Sequence, residues 1–147
     1  MAISYPYLPP GRLIEYVPAN HPFMLAATAQ KNSKSCVKQP TGAIVVKDEQ
    51  IIGRGSNAGI SVKVCPRVQQ HYPTGQGYHL CREICHQEGH AEVMAIQNAL
   101  KTHHDPTGSD LYLDGHWWCC QNCWAHIIKH NILHVYLRDD SYQIYRR

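Results

Sequence analysis

A chain of 147 residues, 44% hydrophobic and 17% charged, is the size of one soluble domain with a real core. Its longest apolar run, Phe23 to Ala29, is far short of a membrane span, and a net charge of +3 is too mild to imply a nucleic-acid partner by itself. The first residues lack the basic-then-apolar order of a signal peptide, so a cytoplasmic location without a membrane partner is expected.

In chain order, residues 1–19 hold four prolines and three tyrosines and read as an irregular N-terminal arm, draped on the body or on a partner. Residues 20–147 read as a single domain. Asn20 is placed to cap a first helix with Pro22 in its opening turn. The β-branched run Gly42 to Val46 and the segment Ile51 to Asn57 predict two strands, joined as a hairpin by the polar turn Asp48-Glu49-Gln50. Residues 58–88 form a long aperiodic insertion, and such a loop in a compact domain is usually functional or pinned. Cys65, Cys81 and Cys85 lie within it or at its ends and suggest what pins it. A second helix is expected from about His90 to Thr102 and a third from Cys120 to His130, with strands at Leu111 to Leu113 and Ile132 to Leu137. The last ten residues read as a polar, tyrosine-bearing tail. The order α-β-β-α-β-α-β predicts an α/β fold, a three-layer α/β/α sandwich whose mixed sheet has parallel later strands.

Seven cysteines and eleven histidines are the compositional surprise. In a reduced compartment that richness points to metal binding rather than to disulfides. His90, Cys120 and Cys123 make a three-ligand zinc site whose fourth position is open to water, the pattern of a catalytic rather than a structural zinc. Cys120 and Cys123 are i, i+3 neighbours and reach one ion from one face. Mid-helix, His90 and Glu92 would point almost opposite ways. At a first turn they share a site if the ion lies beyond the helix end. Glu92 is then the spare carboxylate that moves protons for the bound water.

His90-Ala91-Glu92 followed by Cys119-Cys120-Gln121-Asn122-Cys123 resembles the H-x-E … P-C-x-x-C signature of the zinc-dependent cytidine and deoxycytidylate deaminase superfamily. The resemblance runs over roughly residues 20–138 and is nearest the deoxycytidylate branch. It implies a cytidine-deaminase-like fold and a zinc-dependent hydrolytic deaminase of a nucleotide or nucleoside, converting dCMP to dUMP plus ammonia. Adenosine in tRNA, guanine and pterin-like bases are the rival substrates within the enzyme class. A non-catalytic, zinc-stabilised interaction module is the rival outside it. The resemblance also implies substrate contacts for Asn57, for the Ala91 backbone and for Trp118 in the base-framing loop, although Asn57 also reads as a turn residue and Trp117 and Trp118 as core or dimer packing. Some members of the deoxycytidylate branch carry a second, structural zinc. Cys36 and Cys65 sit in matching places, and Cys81 and Cys85 would complete the set, with His71, His79 or His86 able to replace one thiol.

Three departures stand out. Cys119 replaces the proline before the C-x-x-C, and the loop Asp114 to Trp118 is longer than the family's turn. The nine residues after Arg138 cannot hold the family's further crossover helix and last strand. Uncovered sheet or helix surface, and with it a homo-oligomer in which the arm covers a neighbour, is therefore expected.

Overall fold

The computed structural model describes residues 3–31, 39–57, 66–73, 75–76, 79–80 and 90–146. Its elements are β1 (Ile14–Val17), α1 (Pro22–Thr28), β2 (Gly42–Lys47), β3 (Gln50–Ser56), α2 (Pro66–Gln69), α3 (Ala91–Lys101), β4 (Asp110–Asp114), α4 (Gln121–Lys129), β5 (His134–Arg138) and α5 (Ser141–Tyr145). The five strands form one mixed sheet in the order β1-β5-β4-β2-β3. The pairs β1–β5 and β4–β5 are parallel, while β2–β3 and β2–β4 are antiparallel. This is the expected α/β/α architecture with parallel later strands.

Side chains alternate across the sheet, so each strand feeds two cores. One face presents Val45, Leu111, Leu113, Val135 and Leu137 to α3 and α4. The other presents Ile44, Val46 and Tyr112 to Met24 and Ala27 of α1. Gly42 to Val46 are buried without interruption, which is why this interior strand, β2, reads as a continuous apolar run rather than an alternating one. The β2–β3 turn is a tight two-residue one, with Asp48 and Glu49 both left-handed at φ 51° and 63°.

Glycines set how closely α3 lies on the sheet. A Cβ on Gly53 would fall 2.3 Å from the Ala95 carbonyl oxygen, and one on Gly55 2.3 Å from the Ala95 nitrogen. Ala91, Ala95 and Ala99 face them, all fully buried. Small residues on both sides let helix and strand backbones touch, and this fixes where the first turn of α3 points.

Two expectations need correction, and a third gains detail. Within the stretch read as an irregular arm, Ile14–Val17 is a strand that pairs with β5 in the same chain, Ile14 opposite Val135. Its partner is about 120 residues away, beyond the reach of local sequence signals. Covering the β5 edge thus needs no neighbouring chain. The cap of α1 is His21 rather than Asn20: its ring Nδ1 accepts from the Phe23 amide at 3.2 Å, with Pro22 at the first helical position. The polar, tyrosine-bearing tail contains a short helix, Ser141–Tyr145, tied by the Tyr145 hydroxyl to Asp114 at 2.7 Å. Among the described residues, no helix is long and apolar enough to cross a membrane.

Candidate metal centre

Two helices begin side by side. His90 and Cys120 occupy the N-cap positions of α3 and α4 with near-identical extended backbones, φ −72°, ψ 162° and φ −71°, ψ 166°. A cap side chain normally accepts from its own first turn. Neither does so here, and both are turned toward each other instead. The orphan amides and positive dipole ends of both helices favour negative charge at this spot. Gly115 starts the loop that delivers Cys120 from the end of β4. Its φ is +113°, and a Cβ there would lie 2.2 Å from the Pro40 carbonyl oxygen.

The donor atoms form a small triangle. His90 Nδ1 lies 3.4 Å from Cys120 Sγ and 3.4 Å from Cys123 Sγ, and the two sulfurs are 3.3 Å apart. Among the described residues this is the only group of three or more potential metal ligands so close together. A tetrahedral zinc with bonds of about 2.3 Å to sulfur and 2.0–2.1 Å to nitrogen spaces its ligand atoms roughly 3.5–3.8 Å apart. One imidazole and two thiols a few tenths of an ångström tighter than that fit such an ion.

The electrostatics agree with the donor chemistry. The Cys123 hydrogen bond draws Cys120 down to about 4, against burial and with help from His90, which favours its thiolate form. Burial works against a charged His90, but hydrogen bonding to Cys120 and the nearby Glu92 carboxylate raise it, while the Arg67 guanidinium opposes them. Glu92, 4% exposed in the first turn of α3, is raised first by burial and further by Cys120, with His90 pulling the other way. Cys119 is fully buried, its thiol pushed well up by burial and by Glu92, to which it hydrogen-bonds.

A cavity of about 690 Å³ opens onto Cys120. Its walls are Pro6 and Tyr7 from the N-terminal segment, Gly75 and Gln76, Trp118, and Gln121, Asn122 and Ala125 at the start of α4. Trp118 therefore faces the space beside the donors. Asn57 is placed differently. Its Oδ1 accepts from the Thr41 amide at 3.0 Å, and its Nδ2 donates to the Gln39 carbonyl at 2.9 Å, so it fastens the strand entering β2. Ala91 is fully buried, with its carbonyl against Gly55. Cys36, Cys65, Cys81 and Cys85 lie outside the described residues, as does His86. Sequence reasoning missed Tyr7, Gln76, Gln121 and Asn122 as cavity residues. Gln121 and Asn122 carried a signal, because they fill the C-x-x-C interval; Tyr7 and Gln76 carried none.

Comparison with known proteins adds a family. A model described as the cytidine and deoxycytidylate deaminase zinc-binding region matches residues 19–138. Among solved structures, the chain is similar to a diaminohydroxyphosphoribosylaminopyrimidine deaminase/5-amino-6-(5-phosphoribosylamino)uracil reductase from Thermotoga maritima. Identity is 25% and the TM-score 0.51 over 80% of this chain, which spans only 29% of that one. It is also similar in fold to the dCMP deaminase of cyanophage S-TIM5 in its apo form, at 23% identity and a TM-score of 0.54, covering 84% of this chain and 86% of that one. The same enzyme in complex with dCMP and dUMP aligns at 22% identity with a TM-score of 0.54, over 84% and 87% of the two chains. No curated protein matches the chain.

Proposed function

The chain belongs to the cytidine and deoxycytidylate deaminase zinc-binding family, and from that premise we propose that it is a zinc-dependent hydrolase that deaminates a cytosine-type nucleotide or nucleoside, with dCMP to dUMP plus ammonia as the reaction. The observation that carries the reading is the donor triangle of His90, Cys120 and Cys123 at two facing helix N-termini, with Glu92 buried beside it. These three residues would hold the ion, and zinc bound there supplies an activated water.

The remaining chemistry belongs to the chain. Glu92 takes a proton from the attacking water and delivers it to the ring nitrogen next to the carbon under attack. Protonation makes that carbon, C4 of cytosine, more electrophilic. The water oxygen bonds to C4, and Glu92 takes the proton left on that oxygen and passes it to the amine; the C4–N bond breaks as the C4 carbonyl forms, so ammonia leaves and a uracil ring remains. Burial suits the role, because it raises the carboxyl's pKa and so brings the protonated form within easier reach. A non-catalytic module has no use for a carboxylate buried at such cost.

The same reading includes a second, structural zinc on Cys36, Cys65, Cys81 and Cys85, a homo-oligomer, and a cytoplasmic location. Ammonia release from a panel of cytosine, cytidine, dCMP, adenine and guanine compounds tests the substrate, with dCMP expected to be the fastest. Turnover of guanine or adenine alone would reassign the base. Metal analysis tests the site: Cys120→Ser with Cys123→Ser is expected to lose one zinc per chain, and unchanged metal content would overturn the assignment.

A further inference from the structure

The N-terminal segment belongs to neither the zinc motif nor the α/β/α layers, yet it shares a cavity with one of the donors, Cys120. Pro6 and Tyr7 line the cavity that opens onto Cys120. The segment is fastened on both sides of them. Before Pro6, the Tyr5 ring stacks on Trp117 with centroids 6.3 Å apart and planes at 25°, and its hydroxyl hydrogen-bonds the Tyr16 hydroxyl. After Tyr7, Leu8 packs on the main core and Pro9 is buried. Beyond them Arg12 donates to the Ile132 carbonyl at 2.8 Å, and β1 joins the sheet. Prolines at 6, 9 and 10 hold the backbone stiff. A stiff, anchored wall loses little freedom when a ligand settles against it.

Trp118 lines the same cavity and is 4% exposed, with carbons of its ring at the cavity residue Gly75. Gln121 and Asn122 add amide groups, each offering donors and an acceptor. Aromatic rings for a flat face and amides for a polar edge are what a neutral heterocycle with alternating ring donors and acceptors requires.

We propose that Pro6 and Tyr7 form a wall of the substrate cavity, and that Tyr7 together with Trp118 selects a flat, neutral nitrogen heterocycle. The proposal rests on the deaminase reading for what the cavity is for, but not for whether a heterocycle binds there. Tyr7 is a specificity-determining residue and takes no part in proton transfer. A ring against the flat face of the base binds ground and transition states alike, so its loss raises KM and leaves kcat near normal.

Binding and turnover are measured separately. Zinc-loaded Glu92→Gln protein, with and without Tyr7→Ala or Tyr7→Phe, is titrated with cytosine, cytidine, dCMP and guanine and followed by tryptophan fluorescence. At least one compound is expected to bind. Tyr7→Ala is expected to weaken it roughly tenfold, the scale of losing one ring stacked on a base, and Tyr7→Phe by less than about threefold. If Tyr7→Ala does not fold, Tyr7→Leu keeps the contact with the core and is read in its place. An unchanged Kd overturns the wall, and so does an equal loss in the Phe variant. Ammonia release by the same Tyr7 variants with Glu92 intact separates the two readings. Weakened binding without turnover of any compound keeps the wall and sinks the deaminase reading. Turnover with a KM indifferent to Tyr7 does the opposite, and no binding by any compound overturns both.

Discussion

Glu92 and Asp114 are both buried carboxylates, 4% and 0% exposed, and the protein treats them in opposite ways. Asp114, at the end of β4, accepts from the Thr28 hydroxyl at 2.5 Å and the Tyr145 hydroxyl at 2.7 Å. Lys31 lies 3.2 Å from it and Arg138 3.8 Å. Burial pushes its pKa up, but these donors and cations overcome that and hold it below the usual carboxylate range. Glu92 has an imidazole and thiols for company, and burial wins. A buried carboxylate with full compensation is a fixed charge that staples α1 and α5 to the sheet. One with partial compensation can carry a proton. Burial alone therefore does not mark a functional acid; what faces it does.

The comparison breaks most directly at Glu92. Glu92→Gln is expected to keep zinc and fold while losing roughly 10²–10⁴-fold in turnover. Near-normal turnover would refute the proton-carrying role, and loss of zinc would make Glu92 a ligand. Asp114→Ala is expected to leave the donor triangle and zinc content intact but to destabilise the fold by about 3 kcal/mol. That is the low end for opening a buried pair, since Lys31 and Arg138 each keep some solvent contact. Urea unfolding checks it, and a loss within experimental error would mean that the network contributes nothing.

Gly55→Val sharpens the contrast further. It presses on Ala91 and Ala95, and so on the helix that carries Glu92, without touching α1 or α5. A stability loss of about 1–3 kcal/mol is expected, together with a fall in zinc affinity that the Asp114 variant does not show. Equal zinc affinity in the two variants would break the link between helix position and site.

The smallest effect concerns pH. Asp114 has a lowered folded pKa, so the unfolded chain binds its proton more readily and stability rises with pH in that window. Its contribution is present above the unfolded carboxylate value of about 4 and is lost as pH falls through the lower folded value. Asp114→Asn should flatten that acid limb in equilibrium unfolding; an unchanged limb would assign acid sensitivity to other carboxylates.

Much of the centre was legible in the chain itself. Cys120 and Cys123 are three apart, and His90 and Cys120 each precede a helix-forming run, so local rules alone bring the donors to two helix starts. The hairpin was equally legible, because Asp48 and Glu49 sit between two β-branched runs. The Asp114 network was not. Thr28, Lys31, Arg138 and Tyr145 meet there from opposite ends of the chain, and nothing in their local spacing announces it.

What residue type and spacing determined by themselves was the donor set, one imidazole and two thiols with a carboxylate two residues from the imidazole, on elements whose hydrophobic period named an α/β fold. What only tertiary structure decided was how the sheet is finished and what walls the cavity. β1 has no identity as a strand until β5 lies beside it, and Tyr7 has no link to the centre until Tyr5 stacks on Trp117. Helix starts and ligand spacing depend on neighbours a few residues away, whereas those contacts join residues about 110–120 positions apart and exist only once the core has formed.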